Sequence, residues 1–187
     1  MIRGFEKYDM KEEPIMKKAL ILAYGVMSYV AFLGVFLYLM GFVGDFYVPR
    51  TMNSGTGSNP LNGILIDMGL ISLFALQHLI MARGRFKKWL TRHIPEPMER
   101  STFVLVSSAC LALLLAFWQP VPLVIWNIET EAVRWLLRAV FIIGWGLVVY
   151  SSFLIDHFDL FGLRQVYLHY RGMPYSNVPF KVHSLYR

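Results

Sequence analysis

From Ala19 to Gly44 the chain runs for 26 residues without a charge. About 20 apolar residues in helical form cross the hydrocarbon of a bilayer, and in lipid every backbone N–H and C=O of such a run has to bond within the segment. The run reads as a membrane-spanning helix and is too long for the core of a signal peptide. Ahead of it, residues 1–18 mix Arg3, Lys7, Lys11, Lys17 and Lys18 with Glu6, Asp9, Glu12 and Glu13.

Three more stretches follow the same logic. Leu61 to Ala82 carries only Asp67, Ser101 to Ile128 carries no charge, and Trp135 to Ile155 carries only Arg138, whose stem can lie in lipid while its head reaches the interface. With 56% hydrophobic and 16% charged residues, the chain is too apolar for a soluble domain of 187 residues. The expected fold is all-α: a polytopic membrane helix bundle with spans over about 19–44, 61–82, 101–126 and 135–155. Residues 1–18 precede the bundle, and residues 156–187 follow it with an interfacial amphipathic helix. Pro120 and Pro122 would bend or end the third span near its outer end. The single cysteine, Cys110, excludes a disulfide or a cysteine-based zinc site within one copy.

Lys and Arg concentrate before the first span, in "RGRFKKWLTRHIPEPMER" between the second and third, and after the fourth. By the positive-inside rule these belong on one side, giving a multi-pass protein with both termini cytoplasmic. The net charge of +6 is therefore explained by topology, and nucleic-acid binding is not expected. The lipid bilayer is the expected environment.

Polar residues inside such a chain are costly and mark candidate sites. Asp67 and His78 are eleven residues apart, hence about 20° apart in azimuth on one helix face, three turns from each other. Either could equally hydrogen-bond to a neighbouring helix. Gln77 and His78 fall near the cytoplasmic end of their span. In "LIDHFDLFGLRQ", residues 154–165, charges crowd against an apolar wall. If the fourth helix continues, His157, Arg164 and Arg171 recur at intervals of seven as a polar stripe, with Gln165 and His169 beside it and Leu160, Leu163, Val166, Tyr167 and Tyr170 opposite. An interfacial helix accounts for Arg171 and the tyrosines but not for Asp156 and Asp159. His157, Asp159, His169, His183 and His78 could ligate a metal, but their spacing matches no H-E-x-x-H pattern, and no metal site is assigned. The "GWG" at 144–146 sits mid-membrane with no strand before it and reads as helix-packing material.

The stretches "LFALQHLIMARGRFKKWLTRHIPEPMERSTFVL", "FWQPVPLVIW" and above all "SSFLIDHFDLFGLRQVYLHYRG" resemble the methanethiol S-methyltransferase family. These are bacterial membrane enzymes related to the NnrU proteins and to the isoprenylcysteine carboxyl methyltransferases. The resemblance runs from about residue 60 onward and implies a bacterial inner-membrane enzyme. Its expected reaction is methylation of a small thiol, methanethiol, by S-adenosylmethionine to give dimethyl sulfide. In the related methyltransferases an Arg-His-Pro-x-Tyr segment and a further helix pair follow a Leu-Tyr-Arg like Leu185, Tyr186 and Arg187. The sequence stops there, so the resemblance implies that roughly a quarter to a third of the expected polypeptide is absent, with much of the cofactor pocket.

A thiol is mostly protonated at neutral pH, so the reaction needs a proton acceptor and exclusion of water. His78 and His157 are the candidate catalytic residues. Arg164 suits the carboxylate of the methyl donor, Asp159 its ribose or ammonium, and Gln165, Tyr186 and Arg187 complete the candidate cofactor-binding set. The alternative is a non-catalytic NnrU-like accessory protein whose polar cluster binds a partner or haem.

Overall fold

The computed structural model describes residues 13–55, 59–121, 124, 127–176 and 178. Its helices are α1 (Ile15–Gly44), α2 (Pro60–Ala82), α3 (Gly84–Leu90), α4 (Glu99–Phe117), α5 (Glu131–Ile155), α6 (His157–Leu160) and α7 (Leu163–Tyr170). A single 3-10 turn, Glu96–Met98, leads into α4. Among the described residues there is no strand, and α1, α2, α4 with its leading turn, and α5 are long and apolar enough to cross a membrane.

The ends of these helices follow local chemistry. Pro60 opens α2 where its missing N–H costs nothing, and the Asn59 side chain accepts the Leu61 N–H at 3.0 Å. At the end of α1, Asp45 turns into the left-handed region at φ 59, and the chain folds back so tightly that a Cβ on Gly41 would stand 2.7 Å from the Phe46 carbonyl oxygen. The third span is shorter at its far end than expected, stopping at Phe117 rather than near 126. Trp118 is already extended at ψ 134, two residues ahead of Pro120, whose ring cannot continue a helix.

The centre of the bundle is α4, which packs on α1 along one side and on α2 along another, while α7 lies across α1. Tyr24 of α1 and Thr102 of α4 share a hydroxyl–hydroxyl hydrogen bond at 2.9 Å. Where α1, α4 and α7 meet, close approach requires glycine. A Cβ on Gly25 would stand 2.5 Å from Val166 Cγ2, and one on Gly162 would stand 2.8 Å from the Ser101 backbone nitrogen. Val166 is fully enclosed there. No residue of α5 is buried; it leans on α1 and the loop after it through Phe36–Trp145 and Phe46–Phe141, with ring centres 5.2 and 6.1 Å apart.

The continuous helix past the fourth span does not form. α5 ends at Ile155, α6 is one turn, and Gly162 at φ 87 starts α7 on a new axis, so His157, Arg164 and Arg171 do not make a stripe on one helix. The amphipathic helix expected after the fourth span is the eight-residue α7, packed on α1 with Val166 on its inward face and Tyr167 exposed.

Candidate functional site

At the end of the bundle that carries Lys17, Lys18 and α3, titratable side chains gather around the joint between α5 and α6. Asp156 forms that joint at φ 113 and ψ 90, a backbone conformation that a non-glycine residue holds only when its surroundings enforce it. They do so from both sides. Its N–H closes the last turn of α5 on the Ser152 carbonyl at 3.2 Å, and its carboxylate accepts the Asp159 N–H at 3.1 Å, capping α6.

His157 follows, 8% exposed, inside an aromatic shell. The Phe153 ring stacks on it at 4.3 Å and 7°, and Phe161 and Tyr29 approach by their edges at 4.8 and 5.7 Å. Both ring nitrogens are engaged: Nε2 with the Tyr29 hydroxyl at 2.7 Å and Nδ1 with Ser152 Oγ at 2.8 Å. Burial pulls its pKa below the usual histidine value, and the neighbouring Asp156 charge offsets this in part. As a direct acceptor of a thiol proton, His157 has no unengaged nitrogen in this arrangement.

Asp159, Arg164 and Gln165 come together one turn further. Arg164 Nη1 donates to Asp159 Oδ1 at 3.0 Å and to the Ser176 carbonyl at 3.1 Å. Gln165 Nε2 donates to the Asp159 carbonyl at 3.2 Å. Tyr175, which folds back across this turn, donates to Asp159 Oδ2 at 3.3 Å and lies under the Arg164 guanidinium at 5.5 Å. Burial, then the Asp159 charge, pushes the Tyr175 phenol above its ordinary range. Among the described residues, Arg164 keeps Nε and Nη2 without a hydrogen-bond partner.

A cleft of about 490 Å³ opens beside this cluster, walled by Leu22 and Val26 of α1 and by Phe158, Leu163 and Tyr167, with Asp156 and Arg164 as its charged lining. Its size falls in the range of small-molecule sites, and it pairs apolar walls with one carboxylate and one guanidinium. That combination fits a ligand with a cationic centre, a carboxylate and an apolar or aromatic body.

The other candidates lie elsewhere. His78 is exposed on the seam between α2 and α4, 4.8 Å from the Phe103 ring and 3.5 Å from Ser107 Oγ, and shares no hydrogen-bond or ring partner with His157 among the described residues. Gln77 beside it donates to the same Ser107 hydroxyl at 3.2 Å. Asp67 is buried and accepts the Gln119 N–H at 2.9 Å, a strut on the end of α4. His169 stands 3.0 Å from Glu13. His183, Tyr186 and Arg187 lie outside the described residues. Among the described residues no three His, Cys, Asp or Glu side chains stand close enough to hold a metal ion. Sequence reasoning missed Tyr29 and Tyr175. Tyr29 is hidden in an uncharged run 128 positions from its partner, whereas Tyr175 follows "RGMP", a turn signal that could have announced a chain reversal.

The chain is 46% identical over 172 residues to a methanethiol S-methyltransferase of Mycobacterium tuberculosis, a match covering 92% of this chain and 70% of the relative. A methanethiol S-methyltransferase of Crocosphaera subtropica is 45% identical over 174 residues, covering 92% and 68%. The chain belongs to the methanethiol S-methyltransferase family. A more distant likeness, 34% over 113 residues, links it to nurim of Bos taurus and covers 57% of this chain and 43% of that one. No model of a known protein family matches the chain, and no solved structure matches it. Methanethiol S-methyltransferase relatives match 92% of the chain, so the likeness extends beyond the motifs after residue 60 and reaches into α1. The helix that supplies Tyr29 and one wall of the cleft is thus part of the family's shared length.

Proposed function

We propose that this protein methylates methanethiol with S-adenosylmethionine, releasing dimethyl sulfide, and that the reaction takes place in the cleft between α1 and the α6–α7 turn. The observation that carries the reading is the sustained identity to methanethiol S-methyltransferases, 42–46% in relatives that match from 77% to 92% of the chain. The cleft supports it by presenting the charges such a donor needs.

When bound, S-adenosylmethionine would supply a methyl group on a positively charged sulfur, open to in-line attack by a thiolate, with S-adenosylhomocysteine as the leaving group and the thiol proton given up to solvent before the attack. The remaining work belongs to the chain. Nε and Nη2 of Arg164, which have no partner among the described residues, would hold the carboxylate of the methyl donor in the planar, bidentate way that guanidinium favours. Asp156 and Asp159 set negative charge beside the cationic end, and Gln165 steadies Asp159 through its carbonyl. With donor and thiol bound, Leu22, Val26, Phe158 and Leu163 would lie against them and keep water away, which strengthens each of these interactions and strips the thiolate of hydration. Methanethiol, small and apolar, reaches such a cleft from the bilayer.

The orientation that fits this reading puts the cleft on the cytoplasmic face of the bacterial inner membrane. Arg83, Arg85, Lys87, Lys88 and Arg92 sit at that end, with Arg50, Arg134 and Arg138 at the other. The test is headspace gas chromatography of cells expressing the chain and supplied with methanethiol. Dimethyl sulfide above the vector control is the expected outcome, and a level equal to the control refutes the proposal.

A further inference from the structure

Tyr29 stands among apolar residues in the uncharged run of α1, where its neighbours Phe32 and Phe161 would accommodate a phenylalanine equally well. A hydroxyl in such surroundings is costly unless it is used. Its use can be read from a count of protons. Ser152 Oγ lies 2.6 Å from the Val149 carbonyl, which only accepts, so the one serine proton is committed there. Toward His157 Nδ1, at 2.8 Å, Ser152 can then only accept, and Nδ1 must carry the imidazole proton. Nε2 of the neutral ring is left as an acceptor, and Tyr29 donates to it at 2.7 Å. Every proton in the chain Tyr29–His157–Ser152–Val149 has one place.

We propose that Tyr29 is a positioning residue for the cleft: through His157 and Ser152 it locks the joint between α5 and α6 against α1, and so sets where Asp156 and Asp159 stand. This deepens the methyl-transfer reading and rests on it. The joint needs such a lock, because α5 buries none of its own residues and Asp156 sits in a strained conformation at its end. Among the described residues, the His157 ring is the one side chain of the joint that hydrogen-bonds to both α5 and α1. The link then passes outward through the Asp156 carboxylate capping Asp159 and through Asp159 holding Arg164. Removing the Tyr29 hydroxyl leaves Nε2 a buried acceptor without a partner and frees the ring to turn, which releases the two aspartates from their places beside the cleft.

The experiment uses the purified full chain in lipid vesicles, as wild type, Tyr29→Phe, Ser152→Ala and Ser152→Thr. Calorimetry gives the affinity for S-adenosylhomocysteine, gas chromatography gives KM for S-adenosylmethionine and kcat, and nitrogen-15 spectra of histidine-labelled protein report the tautomer. The His157 signal is identified by its loss in His157→Gln. The wild type should show the Nδ1–H tautomer at His157. Tyr29→Phe and Ser152→Ala should mix the tautomers and raise KM and the dissociation constant roughly tenfold, equivalent to about 1.4 kcal/mol. Their kcat should stay within about threefold of wild type, whereas Ser152→Thr keeps the wild-type values, since its hydroxyl bonds back to the preceding turn in the same way. Simple loss of folded protein would lower apparent kcat and leave KM alone. An Nε2–H tautomer in the wild type overturns the proposal, as does unchanged affinity in Tyr29→Phe while the wild type binds. A wild-type protein that binds neither ligand refutes the methyl-transfer reading itself, and the proposal with it.

Discussion

The two ends of the bundle each hold an arginine near carboxylates, and they use the arginine in opposite ways. At one end Arg50 donates to the Ala116 and Trp118 carbonyls at 2.6 and 3.2 Å, and Asp67 accepts the Gln119 N–H at 2.9 Å. These charges satisfy backbone groups at the end of α4 and in the extended chain just past Phe117. At the other end Arg164 and Asp159 pair with each other, Asp156 caps a single turn, and Arg164 and Asp156 line a cleft. An arginine spent wholly on backbone carbonyls of a helix terminus, as Arg50 is, is a strut. A charge paired with another side chain at the mouth of a cavity can exchange that partner for a ligand. The residue types are similar at the two ends, so the partners decide the role.

The widest separation between the ends comes from their arginines. Arg164→Ala should weaken S-adenosylhomocysteine binding by roughly a hundredfold, within the 2–5 kcal/mol typical of truncating one member of a hydrogen-bonded charge pair, with helix content unchanged by circular dichroism. Arg50→Ala should do the reverse, costing about 2 kcal/mol of stability through two lost charge-assisted bonds while leaving ligand affinity as it was. Equal loss of affinity in both variants would erase the distinction. Gly25→Ala tests how far the cleft depends on helix packing. With Val166 Cγ2 2.5 Å from the new Cβ, α7 has to move off α1, and about 1–3 kcal/mol of overpacking should lower Tm and affinity together.

The smallest effect is a pH dependence confined to the cleft end. Burial lowers the native pKa of His157 below the ordinary histidine value of about 6.5, so in the window between the two the unfolded chain binds more protons than the folded one. Stability therefore rises with pH across that window and is lost as pH falls from neutrality through 6.5 toward the native value. A thermal-melting series from pH 7.5 to 5 should show this decline in the wild type and a flatter profile in His157→Gln.

The spans were legible because lipid imposes one rule on every residue of a run, and that rule needs no knowledge of neighbours. The far end of α4 shows its limit. The uncharged run continues to Ile128, but Pro120 ends the helix earlier, and backbone geometry outweighs hydropathy there. The break after α5 had local signals as well. Asp156 followed three residues later by Asp159 has the spacing of a capped helix start, and Gly162 interrupts the apparent heptad. The seven-residue recurrence of His157, Arg164 and Arg171 obscured them. Asp159, Arg164 and Gln165 were identifiable as a group because they are close in sequence and meet within one turn. Tyr29 was not, since its partner lies 128 positions away and only tertiary packing brings them together. His78 illustrates the converse: helical periodicity placed it on a face, but which helix that face meets, α4 and not α6, is set by the order of packing.

The central claim is that the cleft end performs methyl transfer and the opposite end only holds the bundle. It is tested most directly by transfer of label from S-adenosylmethionine carrying an isotopic methyl group into dimethyl sulfide, by purified protein in vesicles supplied with methanethiol. The expected result is labelled dimethyl sulfide from the wild type and from Arg50→Ala at comparable rates per folded molecule, and a loss of roughly a hundredfold or more at limiting methyl donor in Arg164→Ala. No labelled product from the wild type, or equal product from Arg164→Ala, would contradict the account.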